Sequence, residues 1–251
     1  MSRLLLIPTE IESRELLDLC RRISVPGHAE HPVFSGWRIE HCGLGVVAAA
    51  ARSAALIECI RPSRIVLAGI AGALDETLAI GTAYEFRRVW VDGLGAGSAD
   101  RGFESNYLSI GEMGWAQWPG DEMTPRVGDV IALDMPPPDD GRKAFDEFAG
   151  LGLLTVCAAS GDRRQSERRR HDYPEAAAED MEGFGVAMSC VLAGIPLRII
   201  RGISNVAGNR NASQWKIGDA LTAVAERLGT LLAEDRGGTT GLDTPNKKGT
   251  E

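Results

Sequence analysis

No apolar run in this chain reaches the length of a membrane span, and the N-terminus is too short and too soon interrupted for a signal peptide. Met1-Ser2-Arg3-Leu4-Leu5-Leu6-Ile7-Pro8 reads instead as a first strand. Positive charge is also scarce. Against 35 acidic side chains stand 27 basic ones, a net charge of −8, and the basic residues are scattered. A nucleic-acid binder wants a basic stripe, so this composition suits a small ligand at a local site and neither nucleic acid nor membrane as partner. The five cysteines (Cys20, Cys42, Cys59, Cys157, Cys190) have no CxxC spacing and lie in apolar segments. They read as buried free thiols of a cytoplasmic protein. Cys157 has no histidine near it in sequence to make it a nucleophile. His28-x-x-His31 lies in a Pro/Gly loop without a third ligand in view, so no metal is expected.

What is present is ordinary globular chain: 251 residues, 44% hydrophobic and 25% charged, enough for one large domain with a substantial core. Leu4–Pro8 reads as a strand and Glu10–Arg22 as a helix. Val33-Phe34 and Trp37–Cys42 flank Ser35-Gly36, a hairpin turn. Gly43-Leu44-Gly45 precedes an Ala-rich helix, Val46–Ile60. Arg64–Ala68 is a buried strand ending in Gly69-Ile70-Ala71-Gly72, and Thr82–Val91 is another. Asp92–Arg126 is irregular; its Trp115 and Trp118 read as anchors of a loop or a lid over an aromatic ligand. Gly128–Leu133 reads as a strand closed by Pro136-Pro137-Pro138, with Asp139-Asp140 a solvated turn. Lys143–Phe148 is a short helix, Leu153–Ala158 a strand, and Asp162–His171 a charged helix whose Arg163–Arg170 run is a solvated face. Glu182–Ala193 is a helix stopped by Gly194. Leu197–Ile203 is the last strand and Trp215–Glu234 a long amphipathic helix. Strands alternating with helices predict an α/β fold, a mostly parallel sheet covered on both faces. One domain over residues 1–235 is expected, with 236–251 a disordered Gly/Thr/Lys-rich tail.

The most informative stretch runs from Arg201 to Asp219. A buried strand ends in Ser204-Asn205 and opens into a polar loop. Strand ends of α/β sheets are where ligands bind, and an Asn amide there carries donors and an acceptor suited to a flat heterocycle. Glu179-Asp180-Met181-Glu182 precedes an apolar helix, which puts Glu182 beside that strand end. Pro8-Thr9-Glu10-Ile11-Glu12 joins the first strand to the first helix. Acids in a first helical turn commonly serve the helix dipole. That plain reading weakens because Glu12, Glu182 and Asn205 all fall at junctions of one type. Gly43-x-Gly45-x-x-Ala48 has the form of a dinucleotide fingerprint, but the following strand ends in Ala68-Gly69 without a ribose-binding acid. A tight turn, or amides lining an anion or ribose site, remain as readings.

These residues resemble the purine nucleoside phosphorylase and nucleosidase superfamily. The resemblance rests on Pro8-Thr9-Glu10-Ile11-Glu12, Cys42-Gly43-Leu44-Gly45, Ala68-Gly69-Ile70-Ala71-Gly72-Ala73-Leu74, Ala159-Ser160-Gly161-Asp162, Asp180-Met181-Glu182-Gly183 and Arg201-Gly202-Ile203-Ser204-Asn205. Gly208-Asn209-Arg210 and Trp215-Lys216-Ile217-Gly218 point within it to the futalosine hydrolases. The resemblance implies a single-domain phosphorylase/hydrolase-like fold with a central mixed, mostly parallel sheet flanked by helices. It also implies a homo-oligomer, no cofactor, and release of hypoxanthine from a nucleoside in menaquinone biosynthesis. By the same resemblance Glu12 would position the attacking water, Glu182 would bind the ribose hydroxyls, Met181 would pack under the sugar and Asn205 would contact the purine. Gly72, Ser160, Gly161 and Ser204 would line the substrate site. The related methylthioadenosine/S-adenosylhomocysteine nucleosidases carry Asp at the Asn205 position. An Asn amide can donate to a 6-oxo group and accept from a protonated N7, which suits hypoxanthine. Neither Val66–Ala73 nor the Gly43 turn supplies an Arg for phosphate, and Arg52 is the only candidate nearby, so water is the expected nucleophile. Other purine nucleosidases or phosphorylases, including those acting on adenosyl lipids, stay open, as does a non-catalytic nucleotide-binding or NAD-dependent module.

Overall fold

Leu4, Leu5, Leu6 and Ile7 are all fully buried, as a continuous apolar run must be when both faces of its strand are covered. They form β1 (Arg3–Ile7) of a computed structural model that describes residues 2–22, 34–97, 106–133 and 151–237. The period of two sorts them: Leu4 and Leu6 enter one core layer, Leu5 and Ile7 the other. The first layer packs on α2 (Val46–Ile60) and α4 (Gly183–Ala193), the second on α1 (Glu10–Arg22) and α5 (Ile217–Gly237). The remaining strands are β2 (Trp37–His41), β3 (Ile65–Ala73), β4 (Ala83–Phe86), β5 (Arg88–Asp92), β6 (Gly95–Ala96), β7 (Leu108–Ser109), β8 (Val130–Ala132), β9 (Gly152–Val156), β10 (Ala176–Asp180) and β11 (Leu197–Val206), with α3 (Arg163–Asp172) between β9 and β10.

The large sheet runs β2-β1-β3-β10-β9-β5-β8, and β11 pairs with β3 and β4. It is mixed and mostly parallel: β1 with β2, β1 with β3, β11 with β3, β10 with β9 and β5 with β9 are parallel. β3 with β10, β4 with β11 and β5 with β8 are antiparallel. One edge of β3 is paired with β11 from Ile65 to Ala73. Its other edge is shared: β1 takes Ile65–Leu67, and β10 takes Gly72 and Ala73. Between them that edge changes partners, and strand pairing is interrupted over Ala68–Ala71. Such a switch of neighbours opens a crevice at the sheet.

Several expectations change. Thr82–Val91 is two strands, because β4 pairs with β11 while β5 pairs with β9, and the run bends at Arg87 to serve both. β10 (AAAED) carries no β-branched residue to announce it; burial of all five residues between β3 and β9 overrides weak propensity. The turn expected at Ser35-Gly36 is present, the Trp37 amide donating to the Phe34 carbonyl at 2.9 Å; the strand after it pairs in parallel with β1, and Val33 lies outside the described residues. Cys20, Cys42 and Cys190 are buried, but Cys59 and Cys157 are exposed. α3 is not a solvated face throughout: Arg169 is buried and ion-paired to Asp92 at 3.1 Å and Glu179 at 2.9 Å. Trp118 packs on the core and donates to Thr124 at 2.7 Å, as an anchor would, whereas Trp115 is exposed. His28, His31, Asp139, Asp140, the 143–148 helix and the 238–251 part of the tail lie outside the described residues. Among the described residues, no helix is long and apolar enough to cross a membrane.

Candidate active site

The crevice at β3 is filled by charge. Arg201 sits mid-strand in β11, opposite Gly69, with none of its surface exposed. A charge there demands partners. Its Nε and Nη2 donate to Asp180 at 3.1 and 2.5 Å, and Nη2 also reaches Glu182 at 3.2 Å. Nη1 is buried and has no hydrogen-bond partner among the described residues. Burial opposes the Arg201 charge, yet Asp180, Glu182 and Glu12 together outweigh it and hold its pKa above the ordinary arginine value.

Asp180 is the hub beneath. It also accepts from the Thr155 hydroxyl at 2.7 Å and the Gly183 amide at 2.9 Å. Glu182 follows two residues later, 4% exposed at the N-cap of α4. Its carboxylate makes no capping bond to its own helix, so the plain helix-acid reading does not explain it. Instead it accepts from the Gly45 amide at 3.0 Å, at the start of α2. Gly43 and Gly45 both have φ of +87°, so the turn needs glycine there. The amide that would cradle a dinucleotide phosphate thus already holds a carboxylate of the chain. Burial pushes the Glu182 carboxyl up to about 7, reinforced by Asp180 and Glu12 and opposed by Arg201 and the Gly45 amide.

Glu12 enters from the other side, where β1 hands over to α1. Its Oε1 accepts from the Ile70 amide at 3.2 Å, in the stretch of β3 that pairs with neither β1 nor β10. Its Oε2 accepts from the Thr9 hydroxyl at 2.8 Å, and Thr9 Oγ1 accepts from the Glu12 amide at 3.2 Å. Thr9 therefore sets the side chain at the helix start. Gly69 makes this convergence possible. A Cβ there would lie 3.0 Å from Glu12 Oε1 and 3.1 Å from Pro8 Cδ, and would strike Arg201 Nη1. Gly69→Ala should therefore displace the guanidinium or the Glu12 carboxylate. We expect about 1–3 kcal/mol of destabilisation and most of the turnover lost, read by urea denaturation beside initial rates. Normal rates would show that neither side chain needs its present place.

Asn205 lies one residue past a bulge. Ile203 pairs with Ala71 and Asn205 with Gly72, which leaves Ser204 as the extra residue. The bulge re-aims the strand end and lets the Ser204 hydroxyl donate to Asn205 Oδ1 at 2.7 Å. Asn205 Nδ2 donates to the Val206 carbonyl at 2.9 Å. A primary amide has two N–H groups and two lone pairs, so one of each stays available. Gly72 stands between Asn205 on β11 and Glu179 on β10. Met181 is half-buried and packs on the small cluster of Leu74, Leu154, Val156, Ala176 and Ala207.

Five of the expected residues therefore gather around the crevice with Glu12: Glu182, Asn205, Gly72, Met181 and Ser204. Ser160 and Gly161 are placed differently. The Ser160 amide and hydroxyl both donate to Glu179, at 2.8 and 2.6 Å, and Arg169 also reaches that hydroxyl at 2.8 Å. The Gly161 amide donates to Gln165 at 2.8 Å. The buried Ser160 spends its donors on Glu179 and the exposed Gly161 amide is spent on Gln165, so both hold the loop after β9 in shape. Arg52 is exposed and pairs with Glu40 at 3.5 Å. Sequence reasoning passed over Arg201 and Asp180 as site residues. The available signal was a lone arginine inside the apolar run Ile199-Ile200-Arg201-Gly202-Ile203, which needs a buried acid opposite.

Comparison with known proteins bears on the descent and the fold of the chain. Futalosine hydrolase of Streptomyces coelicolor is 30% identical over 217 residues, 83% of this chain and 84% of that protein. The 5′-methylthioadenosine/S-adenosylhomocysteine nucleosidase of Psychromonas ingrahamii is 25% identical over 77% of each chain. The native futalosine hydrolase structure of Helicobacter pylori superposes with a TM-score of 0.67 over 94% of this chain and 98% of that one, at 14% identity. That last likeness speaks for the fold, and the first for descent. The phosphorylase superfamily model matches residues 27–234, and the chain belongs to the phosphorylase superfamily.

Proposed function

We propose that this chain hydrolyses the N-glycosidic bond of futalosine, releasing hypoxanthine and dehypoxanthine futalosine in menaquinone biosynthesis. Nucleosidase chemistry is supported by the relatives at 30% and 25% identity. The observation that carries it is the pair Glu12 and Glu182 flanking a buried Arg201 at the partner switch of β3. As the C1′–N9 bond breaks, its electron pair leaves with the base and positive charge builds on the sugar. Glu182 binds the ribose hydroxyls, and both carboxylates stabilise that charge. Glu12 accepts a proton from the water whose oxygen bonds to C1′. Asn205 cannot supply a proton, so the departing base takes one at N7 from solvent water, and the Asn205 amide stabilises it by hydrogen bonds to N7–H and O6.

Water is favoured over phosphate by electrostatics. Arg201 is the one cation at the crevice among the described residues, and it is already committed to Asp180 and Glu182. A phosphate dianion would meet carboxylates on both sides. The test is base release from futalosine, methylthioadenosine and inosine, each with and without phosphate. Hypoxanthine from futalosine without phosphate is expected. A strict phosphate requirement with a sugar phosphate product would overturn the reaction type. Preferred cleavage of methylthioadenosine would favour the second reading, which the Psychromonas relative supports.

Asn205→Asp checks the base. The available amide N–H meets O6 and the available lone pair meets N7–H of a 6-oxopurine. An ionised Asp repels O6, while a protonated one suits adenine. A mismatched polar contact costs about 1–3 kcal/mol. The ratio of kcat/KM for futalosine over its 6-amino analogue should therefore fall about tenfold or more. An unchanged ratio would mean that Asn205 does not read the base.

A further inference from the structure

β10 ends in two consecutive acids, and successive side chains of a strand point to opposite faces. Each acid takes a buried arginine. Asp180 holds Arg201 in the crevice, and Glu179 holds Arg169 of α3 at 2.9 Å. The function above uses only the first pair. In the second, Arg169 donates from Nε to Asp92 at 3.1 Å, from Nη1 to the Ser160 hydroxyl at 2.8 Å and from Nη2 to the Ala158 carbonyl at 2.9 Å. One guanidinium therefore joins the ends of β5 and β10 to the loop after β9. Asp92 also accepts from the Tyr173 hydroxyl at 3.2 Å, and Arg168 stands 3.7 Å from it. Arg169, Asp92, Glu179 and Ser160 are all buried. Apolar side chains would hold the same elements together at less cost in desolvation, so stability alone does not call for this cluster.

What the cluster holds lies next to the crevice. Ala158 and Ala159 are exposed, and Arg169 fixes the chain on both sides of Ala159, through the Ala158 carbonyl and the Ser160 hydroxyl. Glu179 pairs with Gly72, and Gly72 pairs with Asn205 on its other edge. Two residues past Ser160, Asp162 meets the loop that follows Asn205. A Cβ at Gly208, where φ is +83°, would strike the Asp162 carbonyl oxygen. The loops after β9 and β11 are therefore in contact. Arg169 fixes the first, and the second continues from Asn205, the residue that reads the base in the function proposed above, on which this step rests. We propose that Arg169 and Glu179 are positioning residues for the purine: they hold the 158–162 segment as the wall against which Asn205 orients the base. Both are buried and act through that segment. Losing such a wall weakens base binding alike in the ground state and the transition state, which raises KM and leaves kcat nearly as it was.

Two variants test this. Arg169→Lys keeps the charge but cannot span Asp92, Glu179, Ser160 and Ala158 at once. Glu179→Gln keeps an acceptor for the Ser160 amide and leaves Arg169 paired with Asp92, so no buried charge is orphaned, and it carries the test should Arg169→Lys not fold. Calorimetry with hypoxanthine and with adenine, initial rates with futalosine and methylthioadenosine, and urea midpoints are measured on the intact wild type and both variants, per folded protein. For the base that the wild type binds more tightly, Arg169→Lys should raise the dissociation constant about tenfold, the scale of one hydrogen bond to a charged group. KM should rise alike, while kcat falls by less than about threefold. Glu179→Gln should move the dissociation constant and KM by about threefold. A lower urea midpoint with wild-type base affinity and KM would make the cluster structural only and overturn the proposal. A fall in kcat without loss of base affinity would overturn it too, as would a wild type that binds neither base. Should the wild type bind a base, Arg169→Lys weaken it and no nucleoside be cleaved, the nucleosidase reading falls while the positioning role stands.

Discussion

Glu182→Gln should lower kcat by a hundredfold or more, about 3 kcal/mol of transition-state stabilisation. The amide keeps the shape and an acceptor for the Gly45 amide, 3.0 Å away, but removes the charge. If the ionised form is needed, the pH profile carries its signature. Burial raises the Glu182 carboxyl to about 7, so turnover should climb as pH passes from about 6 to 8 and level off above, and this rise should vanish in Glu182→Gln. Stability moves in the opposite sense. In the unfolded chain the group titrates near the ordinary carboxylate value of 4.5, and in the folded chain near 7. Between these values the folded state holds the extra proton, so stability is fully present below 4.5 and declines as pH rises to about 7. Urea midpoints for both proteins across that window would show the slope in the wild type and its loss in the variant. Wild-type rates in a folded Glu182→Gln protein would reduce Glu182 to a structural acid that ties α4 to the turn before α2.

Arg201→Met should produce the largest loss of stability, on the order of 3–5 kcal/mol, because it leaves buried carboxylates without their cation. Asp180 has no exposed side-chain surface and Glu182 only 5%, so water cannot replace the guanidinium. Asp180 keeps Thr155 and the Gly183 amide, which should let the protein fold in part at low pH, where the acids are neutral. Arg201→Lys tests the fork as distinct from the charge. A single ammonium cannot reproduce the bonds that Nε and Nη2 make to Asp180 and Glu182, so stability should return only partly and turnover hardly at all. Denaturation with urea and initial rates measure both. An Arg201→Met protein with an unchanged midpoint and normal rates would mean that the guanidinium neither neutralises nor positions Glu182.

The sequence by itself determined the layers and the candidates. Leu4–Pro8 reads as a buried strand and Trp215–Glu234 as a long amphipathic helix, and both are there, the helix starting at Ile217. Glu12, Glu182 and Asn205 were legible because each stands at the end of a patterned segment, where a polar residue is not required by local structure. Tertiary structure decided what lies between those segments. The Ala-rich β10 has no strand propensity of its own and exists because β3 and β9 bury it from both sides. The bend at Arg87 exists because β4 and β5 answer to different neighbours. The inward turn of Ser160 depends on Glu179 and Arg169, which are 19 and 9 residues away along the chain. Above all, Glu12, Arg201 and Glu182 come from three distant segments. What joins them is the stretch of β3 where β1 has ended and β10 has not begun, and Gly69 leaves the room there. A pattern along one chain records which face a residue presents. It does not record which partner a strand loses midway, and at that place the site is built.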